Sequence, residues 1–146
     1  GDGADILDGG AGNDTLYGGT GNDTYVFSKG GGADRIVEND KTAGNSDLLS
    51  FDQAISYDQI WFRQSGSDLL VSQIGTTDSM TIAGWFSSEG SRVERFATAD
   101  GKQLLESQVD SLVSAMAQFS PPAPGQITLS AEYQSALGAT LAASWK

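Results

Sequence analysis

The chain has 146 residues, 19 of them glycine, with no histidine, no cysteine and a formal net charge of −11. That length fits one domain of ordinary size, and the acidity, with a pI near 4.1, argues against nucleic acid or an anionic membrane surface as a partner. Lacking His and Cys, the chain has no Ser/His/Asp or Cys/His catalytic arrangement and no nitrogen or sulfur ligand for zinc, copper or iron, so it is read as non-enzymatic. The missing cysteines are permissive for an extracellular life. No stretch approaches the ~20 apolar residues of a membrane span, and no signal peptide is visible.

From Gly9 the chain reads GGAGNDTLY and then GGTGNDTYV, two tandem copies of G-G-x-G-x-D-x-U-x, where U is large and apolar. Residues 1–8 (GDGADILD) are the same nonamer without its first glycine, and residues 29–37 (KGGGADRIV) are a fourth copy, displaced by the extra Phe27 and Ser28. Aspartates therefore recur at Asp5, Asp14, Asp23 and Asp34. With glycine near 7% of average composition, a chance match is on the order of one in 10⁵ per position.

Each letter of the repeat has a physical role. The pairs Gly9-Gly10 and Gly18-Gly19 permit positive φ and close backbone approach, which aims several carbonyl oxygens at one point. The aspartate adds an anionic oxygen. Calcium takes about six to eight oxygens at roughly 2.3–2.6 Å, and carbonyls with carboxylates are the set this repeat supplies. The closing x-U-x predicts a very short strand, with Leu7, Leu16, Tyr25 and Ile36 as a single-file inward stack.

Over residues 1–37 these motifs resemble the RTX family, the haemolysin-type calcium-binding repeats of bacterial proteins exported by type I secretion. The resemblance implies a mainly β fold: a parallel β-roll, the calcium-binding nonapeptide solenoid, continued by a β-rich cap and C-terminal amphipathic helices. It implies that successive nonamers lie on alternate sides, with Ca2+ as cofactor and each ion sitting between turn n and turn n+2. Carried over, Asp5 and Asp23 share one ion with carbonyl help from Asp2, Gly19 and Gly21. Asp14 and Asp34 share another, helped by Gly9, Ala11, Gly30 and Gly32, and Gly18 and Thr20 join the metal-facing set.

Calcium is expected to be decisive for folding. Turns a strand spacing apart, about 4.8 Å, bring carboxylates close enough to repel by roughly 3 kcal/mol at an effective dielectric of ~20. One inward side chain per turn yields about 1.5–3 kcal/mol, against on the order of 10 kcal/mol for ordering nine residues. The metal-free roll is therefore expected to be disordered.

After Val37 the pattern changes. Residues 38–46 are polar and turn-rich, and GNSDLLSF reads as a degenerate last calcium turn with Asp40 and Asp47 as candidate ligands, or as a plain solvated connection. Short β-rich runs follow from Leu48, Gln59, Asp68, Ser79 and Arg92, punctuated by Gly66, Gly75, Gly84, Gly90 and Gly101, as a β-meander or further rungs. Trp61, Phe62, Trp85 and Phe86 read foremost as the core capping a thin solenoid, with a ligand-binding aromatic patch as the alternative. Val109, Leu112, Val113 and Met116 predict an amphipathic helix over 107–119, stopped by Pro121, Pro122 and Pro124. A second is predicted after Ser130, an N-cap, with Tyr133, Leu137, Leu141 and Trp145 on one face. The division expected is 1–47 for the roll, 48–106 for the cap and 107–146 for the helical segment.

From Asp47 onward the order of motifs also resembles the C-terminal domain that follows RTX repeats in large exported proteins. That resemblance implies an uncleaved signal for a type I exporter at the chain's end. The reading is a secreted module that folds on extracellular calcium and supports type I secretion of a larger bacterial protein; the alternative is a calcium-dependent adhesive or polysaccharide-binding module holding a glycan.

Overall fold

The computed structural model describes residues 3–38, 40, 46–53, 55–87, 91–120, 122, 125–126 and 128–146. In every nonamer the apolar position lies in a short strand: β1 (Ile6–Leu7), β2 (Thr15–Tyr17), β3 (Thr24–Phe27) and β4 (Ala33–Val37). A tight turn cannot join two adjacent parallel strands, which need a crossover. The chain meets this by alternating between two sheets, so that each strand serves as the crossover for its neighbours. β3 pairs parallel with β1, and β4 pairs parallel with β2.

Both sheets run on past the repeats. β5 (Leu48–Phe51) pairs parallel with β3, and β9 (Arg95–Ala97) pairs parallel with β5. On the other sheet β6 (Ile60–Ser65), β7 (Asp68–Gln73) and β8 (Ser79–Ile82) make an antiparallel meander, and β8 returns parallel to β4. β10 (Gln103–Leu105) closes the first sheet antiparallel to β9. The sheet orders are β1-β3-β5-β9-β10 and β2-β4-β8-β7-β6. The β-rich region thus contains both a meander and further parallel strands, and β10 was not expected from its three residues.

The inward stack is two facing columns rather than one file, because alternate strands enter different sheets. Leu7, Tyr25, Leu49 and Phe96 are in register on one sheet. Leu16, Ile36, Ile82 and Leu69 are in register on the other. The extra Phe27 lengthens β3 and turns inward, its ring centroid 5.3 Å from that of Phe51.

The core thickens toward the C-terminal strands. Ile6 and Tyr17 are 78% and 64% exposed, whereas Trp61 and Trp85 are 2% and 0% exposed. Helix α1 (Glu106–Met116) buries Val109, Leu112, Val113 and Met116, the predicted stripe, but ends three residues before Phe119. Helix α2 (Ala131–Ser144) starts at Ser130, whose hydroxyl accepts the Tyr133 N–H at 3.3 Å. It delivers Trp145 between Phe51 and Phe62, at ring-centroid distances of 6.2 and 6.3 Å. Of the three prolines expected to stop α1, Pro121 and Pro124 lie outside the described residues.

Candidate metal centre

On one edge of the two sheets the residues that lead directly into β1, β3, β5 and β9 lie side by side. Register places Asp5, Asp23, Asp47 and Glu94 in one column, each immediately before the paired strand residues. A ladder of amide-to-carboxylate bonds ties them. The Asp5 N–H donates to Asp23 Oδ1 at 3.0 Å, the Asp23 N–H to Asp47 Oδ1 at 2.8 Å, and the Asp47 N–H to Glu94 Oε2 at 3.3 Å. On the opposite edge the Asp14 N–H donates to Asp34 Oδ1 at 2.9 Å. Beside it Asp78 accepts the N–H groups of Gly30 at 2.7 Å and Gly32 at 3.1 Å.

The glycines make this stacking possible for two separate reasons. A Cβ on Gly21 or Gly32, both at positive φ, would overlap the carbonyl oxygen of Gly3 or Gly12 in the adjacent turn. Gly9 and Gly18 face the aspartates instead: a Cβ on Gly9 would stand 2.8 Å from Asp14 Oδ2, and one on Gly18 would overlap Asp23 Oδ2. Only the bare backbone leaves room beside the carboxylates.

Among the described residues, two of these oxygens have no protein partner. Asp14 Oδ2 and Asp23 Oδ2 are out of water and accept no hydrogen bond. Leaving such an acceptor unpaired costs about 1–3 kcal/mol, more for a charged group. Burial first, and then the charges of Asp47 and Asp5, hold the Asp23 carboxyl above its ordinary range against the lowering effect of the Asp5 N–H. Burial likewise raises Asp34, with Asp14 adding to it. Glu94 is pushed up to about 7 by burial and by Asp47. Oxygen-only ligands, buried acids and orphaned carboxylate oxygens fit a hard divalent cation.

The pairs expected from sequence, Asp5 with Asp23 and Asp14 with Asp34, are brought together. Asp2 lies outside the described residues. Gly9, Ala11, Gly18, Gly19, Thr20, Gly21, Gly30 and Gly32 lie in the turns, but two of their carbonyls already have amide partners. Thr20 accepts from Gly3 at 2.9 Å, and Gly32 accepts from Ser79 at 3.0 Å. Asp47 is fully buried in the ladder and Asp40 is 6% exposed, its Oδ2 accepting the Gly21 N–H at 2.9 Å, so neither lies in a solvated connection. Sequence reasoning missed Glu38, Asp78 and Glu94; carboxylate oxygens of Asp23, Glu38 and Asp47 lie within 4.8 Å of one another. For Glu94 the signal exists: E-R-F repeats the acid-x-apolar step of D-I-L, D-T-Y and D-L-L. Separations of 18, 24 and 47 residues along the ladder hide it. Trp61 and Trp85 are core residues, so they present no open aromatic platform for a sugar.

Such a stack of glycine turns and aspartates defines a calcium-binding repeat segment. Residues 1–36 match the RTX calcium-binding nonapeptide repeat, and residues 68–108 match the haemolysin-type calcium binding protein related domain. The chain thus carries RTX repeats, which bind calcium, followed by that related domain. It is 38% identical over 92 residues to the iron-regulated protein FrpA of Neisseria meningitidis serogroup C, a match covering 61% of this chain and 8% of FrpA. The chain therefore spans less than a tenth of that relative's length. Among the described residues no helix is long and apolar enough to cross a membrane.

Proposed function

We propose that this chain is a parallel β-roll module of a larger exported bacterial protein, unfolded where calcium is scarce and folded by calcium outside the cell. The observation that carries the reading is the pair of orphaned carboxylate oxygens, Asp14 Oδ2 and Asp23 Oδ2, one on each edge of the stacked turns. In this reading Asp5 and Asp23 hold one ion with the backbone of Asp2 and of residues 18–21. Asp14 and Asp34 hold a second with the backbone of Gly9, Ala11, Gly30 and Gly32, and Asp47 serves the last turn. Calcium supplies the positive charge that lets these carboxylates stack. The chain's residues space the turns and exclude water.

Magnitudes support a switch. A site with a dissociation constant near 10⁻⁴ M gains roughly 1.4 kcal/mol at ~1 mM calcium and almost nothing at ~10⁻⁷ M, the cytosolic range. Coupled sites multiply that difference. Residues 1–47 act as the calcium-responsive part, 48–106 cap it, and 107–146 carry the signal for a type I exporter. The test is secretion of a fused passenger by a matching exporter, with and without residues 130–146. Loss of export on deletion supports the reading; export at the intact level puts the signal elsewhere and leaves α2 as a packing element.

A further inference from the structure

β6 is the last strand of its sheet, so one side of its backbone has no strand beside it. The Ile74 N–H donates to Gln59 O, which turns the odd-numbered residues of β6 toward β7 and the even-numbered ones away from it. Helix α1 covers only part of this free edge. The Phe62 N–H donates to Met116 Sδ at 3.2 Å, a weak acceptor, and α1 ends at that methionine. The chain then turns back: the Phe119 N–H donates to Met116 O at 3.0 Å, and the Phe119 ring lies 4.9 Å from that of Tyr133. Between the edge and this turn lies a cavity of about 430 Å³. Buried Trp61, Phe62 and Met116 form its floor, and exposed Arg63, Gln64 and Ser114 stand at its rim.

The charge at this rim is unlike that of the rest of the chain. Among the described residues Arg63 is the one charged residue lining the cavity, in a chain of formal net charge −11. Of the four arginines, it alone has no partner among the described residues. Arg35 pairs with Asp68 at 3.3 Å, Arg92 Nε donates to Trp85 O at 3.1 Å, and Arg95 Nε donates to Ser46 Oγ at 2.9 Å. A guanidinium is a planar fork that holds a carboxylate through two parallel bonds. The C-terminal end of α1 also borders the cavity, but its charge of about −0.5 is smaller than the full positive charge of Arg63. An added peptide strand is a poor occupant, because Met116 already sits on the Phe62 N–H. A small molecule meets no such obstruction, and apolar pockets of about 300–1,000 Å³ with few polar groups are the usual form of a small-molecule site.

We propose that this cavity binds a small amphipathic carboxylate, an aryl or alkyl acid whose apolar body lies over the Trp61, Phe62 and Met116 floor and whose carboxylate meets Arg63 at the rim. Phe119 and Ala117 wall the apolar end. The site is separate from the carboxylate ladders: β6 and the repeat strand β2 lie at opposite edges of the same sheet. It requires a folded chain and makes no use of the calcium-binding residues.

The test titrates the folded 146-residue chain with hydrocinnamate and with its neutral analogue hydrocinnamyl alcohol, following backbone amide shifts by nuclear magnetic resonance, with circular dichroism to verify folding. The acid is expected to bind about fivefold more tightly than the alcohol, the gain of one exposed charge pair, with shifts centred on residues 61–64 and 113–120. Arg63→Gln, at an exposed position, is expected to abolish that preference and to leave the alcohol's affinity unchanged. Ala117→Trp, which fills the cavity, is expected to weaken both compounds about tenfold or more. The absence of a saturable shift in the wild-type chain, or shifts centred elsewhere, overturns the site. Equal affinity for acid and alcohol in the wild type, or a preference for the acid kept in Arg63→Gln, overturns the carboxylate assignment. Should a variant not fold, the comparison of the two compounds on the wild-type chain decides.

Discussion

Replacing Gly21 by Ala tests whether the turns stack in this register. Gly21 has φ +108°, and a Cβ there overlaps the Gly3 carbonyl, standing 2.6 Å from its carbon and 2.9 Å from its Cα. Backbone strain at such a φ costs about 1–3 kcal/mol. The adjacent turn must also move, which loosens the Gly3 N–H bond to Thr20 O, now 2.9 Å, worth about 1 kcal/mol. The total is roughly 2–4 kcal/mol. Gly10→Ala is the control, since Gly10 has φ +72° with open space around it, and costs about 1 kcal/mol. If two ions bind on folding, each tenfold in calcium is worth about 2.7 kcal/mol, so Gly21→Ala shifts the calcium midpoint roughly tenfold and Gly10→Ala about twofold. Far-ultraviolet circular dichroism during a calcium titration reads both. Equal midpoints, or a larger shift for Gly10→Ala, would refute the stacking of Gly21 on Gly3.

The charge arrangement yields two further tests. Asp23→Asn removes a charge from the buried ladder and is expected to weaken one site about tenfold, roughly 1.4 kcal/mol, which raises the midpoint of a two-ion transition about threefold, whereas Asp8→Asn, at an exposed position, leaves it nearly unchanged; equal effects would show that Asp23 faces no ion. In chelator, protons are expected to substitute in part for calcium: Glu94 is raised from 4.5 to about 7 and Asp23 and Asp34 are raised as well. The folded state then binds protons more tightly than the unfolded one, so metal-free stability is present below about pH 4.5 and is lost as the pH rises toward 7. The calcium midpoint runs the other way, falling as pH rises. A metal-free chain whose structure grows between pH 5 and pH 7 would contradict this.

Much of the fold was legible because the nonamer imposes it residue by residue. The positive φ at Gly21 and Gly32, the aspartate beside each turn and the inward apolar residue all follow from letters that recur at fixed spacing. The α1 stripe and the Ser130 cap are likewise local signals, and they fall where the spacing puts them. What escaped was set by distance along the chain. Glu94 fills the aspartate's place in the ladder after a gap of 47 residues, and Asp78 reaches Gly30 from 48 residues away. The meander β6–β8 fills the interval, so no period links either acid to the repeats. Glu38 carries no repeat signal at all; only the pairing of β3 with β5 brings Asp23 and Asp47 beside it. The single file of apolar residues is two columns because alternate strands enter different sheets, the arrangement that the alternate sides of the resemblance implied.

The central claim is that calcium folds this chain, and the most direct measurement is far-ultraviolet circular dichroism of the 146-residue chain at neutral pH, in excess chelator and then through a calcium titration, with magnesium as the comparison. The account expects a largely disordered chain in chelator, a cooperative gain of β structure with calcium and little response to magnesium. Full β structure in excess chelator, unchanged on adding calcium, would contradict it.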